Sequence, residues 1–170
     1  MKDILQDIVA HTHALGFLPL VKVTSENGTT SIDSMAEDRS VILSATTHNA
    51  VNEFTGTFGM PNLDKLALHL KNPEYQKDAK IDVVTVDRNG ETVPTHIHFE
   101  NKTGDFKNAY RFMSTAVIND QLKNVKMKPV KWGVEVVPTA LSIQKLKFQA
   151  MAHSDATTFS SKTENGELIH

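Results

Sequence analysis

The chain contains no cysteine. That excludes a disulfide framework, a thiolate metal site and a cysteine nucleophile. It also lacks a long apolar run. The opening MKDILQDIVAHTH places acids inside its apolar pattern, so it reads neither as a signal peptide nor as a membrane span, and a cytosolic protein is expected. There is no glycine-rich phosphate loop and no G-x-S-x-G elbow, and no carboxylate pair or acid–base dyad stands out. The 20 Asp and Glu are spread along the chain as ordinary solvation. An enzyme is therefore not the leading class, and no cofactor is expected. Nor is there a large charge of either sign. With a formal net charge of −2, any nucleic-acid surface must be local.

What is present suits a folded α+β chain. A length of 170 residues allows one domain or one and a half small ones, and 39% hydrophobic with 22% charged residues can bury a core. Ile4, Leu5, Ile8 and Val9 recur at helical spacing, which predicts an amphipathic helix over 3–15 stopped by Gly16. Strands are expected at 17–23, 40–47 and 53–60, with a turn at 26–28. A second helix over 62–72 follows Pro61, with Asn62 as N-cap, Leu63, Leu66 and Leu70 as its buried stripe, and Pro73 ending it. Asn89-Gly90, between KIDVVTV and VPTHIHFEN, is the strongest hairpin signal. A strand at 108–114 follows. Residues 115–131 show no clean period and read as a linker with scattered apolar anchors. Next come a strand at 132–138, a helix at 142–153 capped by Ser142, and a hairpin turning at Asn165-Gly166. That last hairpin has only the start of its second arm, so a fragment of a longer protein is expected.

Two features invite a functional reading. NLDKLAL at 62–68 and SIQKLKF at 142–148 echo each other, and each sets a lysine, Lys65 or Lys145, about 160° around the helix from its first apolar residue. Any amphipathic helix produces such a pattern, and solvated lysines are its plain explanation. The HTH at 11–13 and HIH at 96–98 have metal-like spacing. On a helix His11 and His13 do not share a face, whereas on a strand His96 and His98 do. No third ligand is placed beside them, although His48 has the right chemistry, and surface strand histidines are the simpler reading.

The run EFTGTFGMPNLDKLALHLKNPEY (53–75), followed by a hairpin, resembles the first domain of a phage-type DNA polymerase sliding clamp. AYRFMSTAVINDQLKNVKMKPVKWGVEVVPTALSIQKLKF (109–148) is similar to that family's passage into its second domain. The resemblance covers most of the chain as an order of elements and includes no catalytic signature. It implies a DNA-clamp fold of β-α-β-β-β units with the helices on one face of antiparallel sheets. The first clamp domain would occupy 1–114, an interdomain connector 115–131, and an incomplete second domain 132–170. It further implies a homotrimeric ring that encircles duplex DNA without reading sequence, tethers the replicative polymerase, and is opened by a clamp loader ATPase in the host cytoplasm. Because the second domain stops early, a closed ring from this chain alone is in doubt. By the same resemblance Lys65, Lys71, Lys145 and Lys147 would face DNA, although the first helix carries Asp3 and Asp7 beside Lys2 and His13. Val117, Ile118, Leu122, Val125, Met127 and Val130 would wall a pocket for partner tails, or else merely pin the connector to the sheet. Two other classes stay open. A phage structural or assembly protein would not need lysine-bearing helix faces, and a metal-dependent enzyme using His96 and His98 would need a third ligand.

Overall fold

The computed structural model describes residues 1–88, 90–123, 131–156 and 158–169. The chain divides into two compact units, Met1–Lys126 and Met127–His170.

The first unit is α+β with antiparallel sheets. Helix α1 (Lys2–His11) opens it and ends in a short 3-10 turn, His13–Leu15, closed by Gly16 in the left-handed region. Strands β1 (Val21–Glu26), β2 (Thr29–Met35), β3 (Ile42–Thr46) and β4 (Gly56–Met60) form a sheet in the order β3-β2-β1-β4. Helix α2 (Leu63–Lys71) follows, and β5 (Lys80–Arg88), β6 (Glu91–Glu100) and β7 (Lys107–Arg111) form a second sheet in chain order. The two sheets meet where Gly59 and Met113 exchange backbone hydrogen bonds of 2.9 and 2.8 Å.

Side-chain alternation decides what each sheet face does. Val23 lies opposite both Ile32 and Phe58, and Ile97 lies between Val83 and Tyr110, so one face of both sheets is apolar. Leu5 and Ile8 of α1 and Leu63, Leu66 and Leu70 of α2 join these residues in a single core. Both helices therefore cover the same face, and their apolar stripes have a common surface on which to bury.

Several boundaries differ from the sequence expectation. Among the described residues the first repeat shows α1-β1-β2-β3, and the second, from β4 onward, shows the full β-α-β-β-β order. Asn62 does precede α2, but it adopts φ 52° and its side chain makes no cap bond. The hairpin joins Arg88 to Glu91 in register, as a two-residue turn requires, with Asn89 outside the described residues. Seven residues of the aperiodic stretch, Thr115–Gln121, form helix α3.

The second unit is sparse. Residues 132–138, expected as a strand, are in no strand. Helix α4 (Ala140–Ala152) starts two residues early because Thr139, not Ser142, is its cap: Thr139 Oγ1 accepts from the Ser142 backbone N–H at 3.1 Å. Strands β8 (Lys162–Glu164) and β9 (Glu167–Ile169) pair around Asn165 and Gly166, both at positive φ. No hydrophobic residue of this unit is buried among the described residues.

Candidate interaction surfaces

The helix layer of the first unit is the first surface. Lys65 and Lys71 project from α2 into solvent, and neither has a carboxylate in ion-pair range among the described residues. By contrast Lys80, Lys102 and Lys107 each pair with an acid, at 3.5, 3.0 and 3.3 Å. Lys2 is held inward, donating from Nζ to the Tyr75 carbonyl at 3.1 Å and to Gln76 Oε1 at 2.9 Å. Asp3, Asp7 and Asp64 are exposed on the same two helices. Two free lysines thus stand among three acids, and the layer is not basic as a whole. His69 lies between the lysines. Its ring stacks on Phe99 with centroids 5.1 Å apart, and its Nε2 is buried with no hydrogen-bond partner among the described residues. Desolvation, with Lys65 adding repulsion, holds its pKa below the ordinary histidine value.

In the second unit, Lys145 and Lys147 are exposed on α4. Residues two apart on a helix point away from each other, so these lysines do not form one contact stripe.

The opposite face of the first unit's sheets is the second surface, and α3 docks there. Ile118 is wholly buried against Gly59. A Cβ on Gly59 would lie 2.9 Å from Ile118 Cδ1 and 2.9 Å from Met113 Cβ, so only glycine admits the helix at this distance. The Thr115 hydroxyl ties the first turn of α3 to the Thr57 carbonyl. Ile118 thus pins the segment to the sheet, while Val117 is exposed on the outer side. Leu122 alone of the six apolar residues named from the sequence lines a cleft that the structure describes. This cleft holds about 520 Å³ among Leu20, Met35, Pro61, Met113 and Gln121. Val125, Met127 and Val130 lie outside the described residues.

His96 and His98 share the α3 face of β6. His98 Nε2 lies 3.0 Å from Glu100 Oε2, and His96 Nδ1 lies 2.9 Å from the Thr95 hydroxyl. Among the described residues no three His, Asp, Glu or Cys side chains gather in a way that could hold a metal ion. No described helix is long and apolar enough to cross a membrane.

Beyond strand β2 and helix α3, sequence reasoning missed two features of these surfaces. One is Gly59, whose role depends on a partner 59 residues away and leaves no local signal. The other is a groove beside the Leu122 cleft, assembled by three turns. No protein-family model matches the chain, and no curated protein matches it.

Proposed function

We propose that the chain is a DNA polymerase sliding-clamp subunit or a portion of one, a processivity factor with no reaction of its own. The observation that carries the reading is the pair of helices on one face of antiparallel sheets, each followed by a three-stranded meander. A clamp assembled as a homotrimer and opened by a loader ATPase would turn that helix face toward duplex DNA. Lys65 and Lys71 would then meet phosphates, which positions the protein without specifying sequence. Tethering raises the effective concentration of a bound polymerase near its template, so a lost contact is followed by rebinding. The α3 face supports the second half of the reading: the Leu122 cleft sets Leu20, Met35, Pro61 and Met113 beside Glu37 and Arg39, a mixed recess fit for one apolar anchor of a partner's tail peptide with polar groups at its edge.

The balance of three acids against two free lysines favours a second reading, an assembly protein that never meets DNA. One experiment separates the two. Fluorescence anisotropy with duplexes of unrelated sequence should show weak binding, equal across sequences and lost as salt rises. Absence of binding at low salt, or preference for one sequence, overturns the clamp reading. For the cleft, Leu122→Ser should weaken binding of the cognate polymerase's tail peptide. At 8% exposure Leu122 also contributes to packing, so the variant's thermal midpoint must be measured alongside. Unchanged peptide affinity in a folded variant places the tail elsewhere.

A further inference from the structure

We propose that the groove between residues 13–19, residues 36–41 and the start of α2 is a docking site for a short peptide. That peptide carries an apolar anchor flanked by lysine or arginine. The inference does not depend on DNA binding.

The groove has a volume of about 780 Å³, enough for one or two side chains and their backbone. Its floor is apolar and already packed: Leu18 and Leu63 are 2% and 1% exposed. Its walls are apolar and only partly packed: Phe17 is 45% exposed and Val41 37%, and burying the remaining surface would stabilise them. The wall at Phe17 is preformed. The 3-10 turn closes with the Gly16 N–H donating to the His13 carbonyl at 3.0 Å, and Gly16 at φ 83° sets the direction in which Phe17 leaves. A site that needs little reordering loses little entropy on binding.

The rim determines the partner's chemistry. Glu37, Asp38 and Asp64 border the groove, and no lysine or arginine does so among the described residues; His13 is the one basic side chain there. The Asp38 carboxylate is fixed in place: its Oδ1 accepts from the Ser40 backbone N–H at 3.0 Å and the Ser40 hydroxyl at 2.7 Å. Those hydrogen bonds favour its charged form. Three carboxylates around an apolar slot repel an acidic peptide and leave a neutral one without rim partners. A basic flank supplies them, and complementary rim charge gives specificity and a faster encounter. The groove shares Pro19, Ala36, Glu37 and Asn62 with the Leu122 cleft, but that cleft is also lined by Arg39, so the peptide's basic flank belongs at the groove's own acidic rim and not in the cleft.

The test uses the whole chain, labelled with 15N, and two synthetic peptides: Leu-Phe flanked on both sides by lysine pairs, and its glutamate twin. The lysine peptide should shift amide signals around Phe17, Ala36 and Asp64 saturably, and the twin should not. Neutralising the rim with E37Q, D38N and D64N together should weaken binding about tenfold, the scale expected for three solvent-exposed pairs. Phe17→Ser should weaken it with only a modest drop in the thermal midpoint, because Phe17 is already 45% exposed. Equal binding of the twin, shifts confined to another surface, or wild-type affinity in the neutralised variant would each overturn the proposal. Dimerisation in sedimentation runs that Phe17→Ser abolishes would also overturn it, by assigning the groove to a second copy of this chain.

Discussion

Helices α2 and α4 carry nearly the same pattern and meet different fates. In α2, Leu63, Leu66 and Leu70 are buried under one core with α1 and the sheets. In α4, Leu146 is half-buried, while Ile143 and Phe148 stay 42% and 69% exposed. The sequence echo is also out of phase. Asn62 stands just before α2, whereas Ser142 lies inside α4 behind the Thr139 cap. An apolar stripe states that a helix can bury a face, and only a sheet bearing a matching apolar face completes the burial. Around α4 the described residues offer a two-stranded hairpin of three-residue arms, too small to cover it.

The sharpest way to break this comparison is to truncate the equivalent leucines. Leu66→Ala should destabilise the first unit by ~2–5 kcal/mol, through lost burial and the cavity left behind. Leu146→Ala should cost under ~1 kcal/mol, as at a surface site. Urea unfolding measures both, and equal costs would show that α4 has a core. Gly59→Ala comes next, at ~1–3 kcal/mol, because the new methyl meets Ile118 and Met113. Combining it with Ile118→Ala should cost less than the sum of the two single changes, since each relieves the other's misfit. Strict additivity in that cycle would mean α3 is not seated on Gly59.

Some local patterns were legible, but the alternating strand β2 (Thr29–Met35) was not anticipated, and features made by distant residues were not read at all. The leucine spacing of α2 located its buried face, and Asn165-Gly166 located a turn. The helix α3 was missed because only Ile118 and Leu122 of its neighbourhood bury, a pair too short to show a period. The expected strand at 132–138 failed for the converse reason: its valines suit a strand, but none of the described strands pairs with them. Within the candidate sites the lysines were legible as exposed. Their acidic neighbours across the helix layer, and the inward tie of Lys2, required the packing of α1 beside α2.

Histidine content separates the two helices in a smaller way. His69 of α2 is held largely neutral by desolvation, with Lys65 adding to it, and its folded pKa lies below the ordinary 6.5. In that situation the unfolded chain takes up the proton first. Stability should therefore be fully present above 6.5 and decline as pH falls toward the folded value. Urea midpoints measured from neutral to mildly acidic pH should drop in the wild type and drop less in His69→Gln. An identical slope in the two proteins would assign the pH response to other groups. The corresponding position in α4 is Gln149, which has no proton to gain, so α4 contributes nothing to this slope.

The smallest expected effect tests whether the lysines of the two helices do the same work. Lys65 and Lys71 are about 120° apart around α2, and Lys145 and Lys147 about 160° apart around α4. If helix lysines meet DNA phosphates, each contact contributes about 0.9 to the slope of log affinity against log salt. K65E with K71E should then flatten the slope by up to about two units, because one shallow face can present both to a curved duplex. K145E with K147E should flatten it by about one at most, since the two point to opposite sides of their helix. Anisotropy titrations at several salt concentrations give the slopes directly. A larger loss from the α4 pair would place the main DNA contact on the second unit, and unchanged slopes in both variants would leave all four lysines as solvated side chains.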